Sequence, residues 1–128
     1  SYKQLWQDAL ETERWNLLHP SEKARLPYIT ACLKDTAGVY VMASDYVKTL
    51  VDSVSKWVPG PVVALGTDGF GRSDSRPALR HFFEMDARFI TLGALNGLVR
   101  KGDIKPQVAE RAMRKMEIDP EKKSPLSE

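Results

Sequence analysis

The residues best suited to chemistry lie in a glycine-rich segment in the middle of the chain. Positions 66–75 read GTDGFGRSDS, which places glycines, carboxylates, hydroxyls and a guanidinium within ten residues. The segment follows a short apolar run, and loops at the carboxyl ends of strands are where α/β proteins gather binding residues. It therefore predicts an interface or the edge of an active site. The candidate residues are Thr67, Asp68, Gly69, Phe70, Gly71, Arg72, Ser73, Asp74 and, just beyond the loop, His81.

Phosphate binding is a weaker interpretation of the same loop. Glycine loops between a strand and a helix can cradle anions, but neither GxGxxG nor GxxxxGK[ST] occurs here. Asp68 and Asp74 would also repel an anion. The favoured interpretation is a glycine-shaped loop in which Asp68, Arg72 and Asp74 form ion pairs, within the domain or across a domain interface.

The remaining reactive side chains are predicted to be structural. His19 and His81 are the only histidines and lack the close spacing of metal ligands, although His81 could face the active-site mouth of a larger enzyme. Glu84 and Asp86 are predicted to be helix caps. Cys32 is the only cysteine, and its apolar neighbours predict a buried structural thiol.

Hydrophobic periodicity predicts the elements that position these residues. The expected helices are 1–18, capped by Ser1; 28–34; 45–57, capped by Ser44 or Asp45; 75–84; 87–101, capped by Asp86; and 105–116. A strand at the start of the fifth helix, over 88–92, is an alternative. Strands are expected over 39–43 and 62–65, which gives a right-handed βαβ unit with parallel strands.

Two parallel strands cannot form a stable sheet alone, and no good third strand precedes residue 39. We therefore expect a piece of a larger α/β protein, with a domain over 1–119 and a flexible tail over 120–128.

Composition excludes several classes of protein. The chain has 128 residues, 42% of them hydrophobic, and a net charge of +2, which does not support nucleic-acid binding. No apolar run is long enough to span a membrane, and no signal peptide opens the sequence. A single cysteine excludes an internal disulfide, so we expect a reducing compartment, the cytoplasm or an organelle matrix, and take a cytoplasmic protein as the prediction.

Four segments, in this order and spacing, resemble the single-chain, homodimeric type of pyruvate dehydrogenase. They are Glu13–Pro20 (ERWNLLHP), Tyr40–Lys48 (YVMASDYVK), Leu65–Arg76 (LGTDGFGRSDSR) and His81–Asp86 (HFFEMD). The resemblance covers the chain to about Asp119 and implies a three-layer α/β fold like the carboxyl-terminal domain of transketolase. It implies a mainly parallel sheet with flanking helices, whose first strand is missing here.

The resemblance also implies the activity of a parent enzyme. Such oxidoreductases use thiamine diphosphate and magnesium to decarboxylate pyruvate, and then reductively acetylate the lipoyl domain of dihydrolipoyl acetyltransferase. Because the family's cofactor lies between the other two domains, this domain is expected to bind no cofactor or metal and to supply no catalytic residue. It would instead support the homodimer and partner contacts. The alternative is a free-standing α/β binding or regulatory module.

Overall fold

The computed structural model describes residues 1–45, 47–67 and 75–127. Seven of the candidate loop residues, Asp68 to Asp74, therefore lie outside the described residues. The helices are α1 (Tyr2–Leu18), α2 (Tyr28–Leu33), α3 (Lys48–Ser55), α4 (Arg76–Phe82), α5 (Ala87–Lys101) and α6 (Pro106–Lys115). The strands are β1 (Tyr40–Ala43) and β2 (Val62–Leu65), and a 3₁₀ turn covers Pro125–Ser127.

The predicted βαβ unit is confirmed. β1 and β2 pair in parallel, in a register that joins Tyr40 to Val62 and Ala43 to Leu65, with α3 between them in the chain. Within the described ranges the sheet has these two strands only, as the sequence predicted.

The first helical layer, α1 to α3, packs on one face of the sheet around Ile29, Val54 and Val58. Tyr40, Met42 and Val62 contact this core from the strands. Polar contacts fix the layer at its rim: the Trp57 Nε1–H donates to Glu13 Oε1 at 3.0 Å, and Lys56 Nζ lies 2.9 Å from the same oxygen.

The second helical layer is α5, which crosses the opposite face of the sheet with α6 packed against it. Gly93 and Gly97 allow the close approach, since a Cβ on Gly93 would lie 3.1 Å from Val63 Cγ1 and one on Gly97 3.1 Å from Val39 Cγ1. Helices cover both faces of a parallel sheet, which confirms the predicted three-layer α/β fold.

Local capping signals predicted several helix ends correctly. Ser75 Oγ accepts from the Ala78 N–H at 3.4 Å, and Asp86 Oδ1 accepts from the Phe89 N–H at 3.1 Å. Gly102 ends α5 with a φ of 87°, in the left-handed region. Because Asp86 starts a helix here, the alternative strand over 88–92 is wrong.

The predicted start of α3 is also wrong. The Ser44 N–H donates to the Leu65 carbonyl at 3.0 Å, so the chain still runs along β2 at this residue. The helix begins at Lys48, its N-cap position is Val47 and no side chain caps it, so neither Ser44 nor Asp45 is the cap.

Cys32 is exposed, contrary to the prediction. α2 has only six residues and turns Ile29 and Leu33 toward the core, with Ile29 buried. Successive helical residues are about 100° apart, so Cys32 lies about 60° from Ile29 and about 100° from Leu33 around the helix axis, at the edge of the core-facing side and not at its centre. The apolar neighbours that suggested burial are thus not all on one face.

Candidate functional site

The carboxyl ends of both strands lie under the junction between α4 and α5. Ser44 and Asp45 follow β1, and Thr67 follows β2. The Thr67 hydroxyl donates to Met85 Sδ at 3.0 Å, which ties the end of β2 to the α4–α5 junction. The start of the candidate loop is therefore held against this junction.

Two neighbouring cavities open at this end of the sheet. The larger, of about 600 Å³, is lined by residues that include Ser44, Asp45, Arg80, Met85, Asp86 and Arg88. The smaller, of about 350 Å³, is lined by Asp45, Thr67, Arg76, Leu79, Arg80, Phe83 and Met85. Of the predicted site residues that the structure describes, Thr67 lines a cavity and His81 lines neither.

His81 belongs instead to a cluster organised by Arg88. The Arg88 guanidinium donates through Nε and Nη2 to Asp86 Oδ2, at 3.1 and 2.8 Å, and through Nη2 to His81 Nδ1. The same Nδ1 lies 3.5 Å from Asp86 Oδ2, so the imidazole faces both members of the Arg88–Asp86 ion pair. The ring also packs on Phe89, at 5.6 Å between centroids. These are the contacts of a structural histidine, and a role at an active-site edge stays a prediction.

The Asp86 carboxylate is stabilised in its charged form. Partial burial alone would raise its pKa, but hydrogen bonds from Arg88 and from the Phe89 N–H outweigh burial and hold the pKa of Asp86 below its usual value. The predicted capping role of Asp86 is confirmed, and the ion pair with Arg88 adds to it.

Glu84 is not a cap. Its backbone has a φ of 60°, and its side chain accepts from Lys122 Nζ at 3.3 Å. Lys122 also donates to the Phe82 carbonyl at 3.0 Å, and its side chain is only 17% exposed. The tail segment thus contacts the α4–α5 junction, and the flexibility expected of residues 120–128 stays a prediction.

Sequence reasoning missed the arginines of α4. Arg76 and Arg80 are four residues apart, so they share one face of the helix, and both are exposed at the cavities. The i, i+4 spacing in RPALR is a signal that could have identified them. Their chemistry is that of a carboxylate or phosphate ligand site.

Trp15 is half-buried and packs against two residues of its own chain. The Arg25 guanidinium lies 3.6 Å from the indole centroid, and the His19 ring stacks at 4.2 Å. Asn16 holds Arg25 in place, accepting from its N–H at 2.8 Å and donating to its carbonyl at 2.9 Å. These contacts are those of a tryptophan that fixes the end of α1 to the connector that follows it.

Neither a metal-ligating cluster nor a membrane-spanning helix occurs within the described ranges. Residues 1–45, 47–67 and 75–127 contain no group of three or more His, Cys, Asp or Glu arranged to hold a metal ion. Over those residues, no helix is long and apolar enough to cross a membrane.

Comparison with known proteins decides the family. Residues 7–86, more than half of the chain, match the family described as "Transketolase-like TK C-terminal domain". The chain belongs to this family. The match extends from α1 to the N-cap of α5, so this transketolase-like C-terminal domain includes both strands and the candidate loop.

Similar proteins share a single description. The chain is 46% identical over 127 residues to the pyruvate dehydrogenase E1 component of Pseudomonas aeruginosa, and 43% identical over 126 residues to that of Escherichia coli K12. Its identity to the Cupriavidus necator protein is 41% over 127 residues. These alignments cover 98–99% of this chain but 14% of each relative, so the chain spans about one seventh of their length.

Proposed function

We propose that this chain is the C-terminal domain of a pyruvate dehydrogenase E1 component. The observation that supports this is identity of 40–46% to such proteins across nearly the whole chain. The parent enzyme would be a cytoplasmic oxidoreductase that decarboxylates pyruvate with thiamine diphosphate and magnesium. It would then reductively acetylate the lipoyl group of dihydrolipoyl acetyltransferase.

The domain's own role is structural in this proposal. In this proposal thiamine diphosphate and magnesium would be held by the other domains of the parent enzyme and not by the described residues. No step of decarboxylation is therefore assigned to them. The domain would complete the homodimer and contact the acetyltransferase partner.

Exposed apolar side chains support a role in contacts. Leu17 is 77% exposed, Leu18 55% and Leu26 52%, all near the end of α1 and the connector that follows it. Large aliphatic side chains at this exposure are common at protein interfaces when they are grouped. We expect the isolated chain to self-associate or to be poorly soluble.

The test is expression of the complete gene product and of a version that lacks the 128 residues. With pyruvate, thiamine diphosphate, magnesium, coenzyme A and the acetyltransferase partner, the complete protein should form acetyl-CoA and the truncated one should lose dimerisation and activity. A gene that encodes only a chain of about this size, or a complete protein without pyruvate-dependent activity, would favour the free-standing module instead.

A further inference from the structure

The two arginines of α4 differ from the neighbouring Arg88 in their contacts within the chain. The Arg88 guanidinium donates hydrogen bonds to Asp86, to His81 and, at 3.4 Å, to the Met116 carbonyl. Arg76 and Arg80 form no ion pair within the part of the chain that the structure describes, and both are exposed. Two guanidinium groups on one helix face are therefore available to an external anion.

The cavity beneath them has the composition of a protein contact. The half-buried Leu79 and Met85 supply apolar surface above the buried Phe83, while Arg76 and Arg80 lie on the same lining. Interfaces combine an apolar centre with a polar rim in this way. A small anion would use the arginines and leave the apolar surface uncovered.

Asp45 narrows the choice of ligand further. This exposed carboxylate lines the same cavity, so a compact, multiply charged anion such as phosphate would be repelled by it. A polypeptide can place its carboxylates on the arginines and offer hydrogen-bond donors to Asp45. Guanidinium groups bind carboxylates in a bidentate manner, which adds directionality.

We propose that Arg76 and Arg80 form a docking site for an acidic polypeptide segment with apolar side chains, contributed by a partner protein. This deepens the proposed function, because it rests on this domain making contacts within a multienzyme assembly. The ion pairs are solvent-exposed, so binding should be weak and should fall as salt concentration rises.

The test measures binding of a fluorescein-labelled peptide to the complete gene product by fluorescence anisotropy at low salt. The acidic peptide is built from repeats of Glu-Leu-Ser-Glu, and a second peptide has Gln in place of each Glu. The acidic peptide should bind the wild type, and the Gln peptide should bind at least about tenfold more weakly. Arg76→Gln combined with Arg80→Gln should weaken acidic-peptide binding by about fivefold or more. The double Lys variant should be intermediate, because lysine keeps the charge but lacks the bidentate geometry.

Arg100→Gln combined with Arg111→Gln is the matched control. Both residues are exposed and line neither cavity, and their substitution changes the net charge by the same amount as the Arg76 and Arg80 double variant does. Equal losses in both double variants would mean a general charge effect, and displacement of the peptide by equimolar inorganic phosphate would mean a small-anion site. Either result, or no binding to the wild type, would overturn the proposal. The assay requires no turnover, so docking and pyruvate dehydrogenase activity can fail independently.

Discussion

Gly97→Ala tests whether α5 lies as close to the sheet as the structure indicates. In an exposed helix this change would stabilise the protein by about 0.8–1.0 kcal/mol, because alanine is the better helix former. At Gly97 the new Cβ would lie 3.1 Å from Val39 Cγ1, 3.2 Å from its Cβ and 3.3 Å from its Cγ2. These distances are shorter than ordinary van der Waals contact between carbon atoms.

Val39 cannot relieve the contact by rotating its side chain, since its Cβ is fixed to the backbone. It immediately precedes β1, where the Tyr40 N–H donates to the Pro61 carbonyl at 2.9 Å, so a backbone shift would strain the strand pairing. Overpacking of this kind costs about 1–3 kcal/mol. Set against the gain in helix propensity, the expected net destabilisation is about 1 kcal/mol.

Urea unfolding followed by circular dichroism measures this effect as a lower midpoint with an unchanged m-value. Asn96→Ala, at an exposed position on the same helix, is the control and should raise the midpoint. In a Val39→Ala background the cost of Gly97→Ala should fall, because two of the three close contacts are removed. A Gly97→Ala variant as stabilised as Asn96→Ala would refute the close packing.

Two other substitutions test the α4–α5 junction. Asp86→Asn keeps a capping side chain but removes the charge that pairs with Arg88, so it should cost about 1 kcal/mol at neutral pH. Because the folded pKa of Asp86 lies below its unfolded value of about 3.9, this contribution is complete above that pH and is lost as pH falls through the folded pKa. The difference between wild type and variant in acid titrations of stability should therefore shrink toward zero, and a constant difference would contradict the ion pair. Lys122→Met removes the contacts to Glu84 and the Phe82 carbonyl and should lower thermal stability by about 1–2 kcal/mol, whereas the exposed Lys123→Met should have little effect.

The elements that sequence predicted well are those specified by local chemistry. Ser75 and Asp86 cap their helices through N–H groups three residues ahead, so the sequence alone contains both partners. The start of α3 was predicted wrongly because the Ser44 N–H bonds to Leu65, a residue 21 positions away. Contacts of this range depend on strand register, which a capping pattern does not include.

The strand end that carries the candidate loop was predicted correctly, whereas a functional role for the loop residues stays a prediction. The apolar run before Gly66 correctly located the carboxyl end of a strand, and Thr67 lines a cavity there. Charge alone could not distinguish Arg88 from Arg76 and Arg80, because their roles depend on which guanidinium reaches Asp86 and His81. The sequence likewise predicted only that Gly93 and Gly97 are helical. Their role in the close approach of α5 to the sheet depends on contacts with strand residues far away in the chain.

The exposed thiol on α2 has a practical consequence for any measurement of association. Cys32 is accessible, and its side chain raises the pKa of the adjacent Tyr28 hydroxyl by hydrogen bonding and charge. In air-oxidised buffer, two copies of the chain can join through these thiols and yield a covalent dimer that sizing methods would count as assembly. Samples should therefore be kept reduced, or carry Cys32→Ser. The same thiol provides a single attachment point for a maleimide dye on the α1–α3 layer.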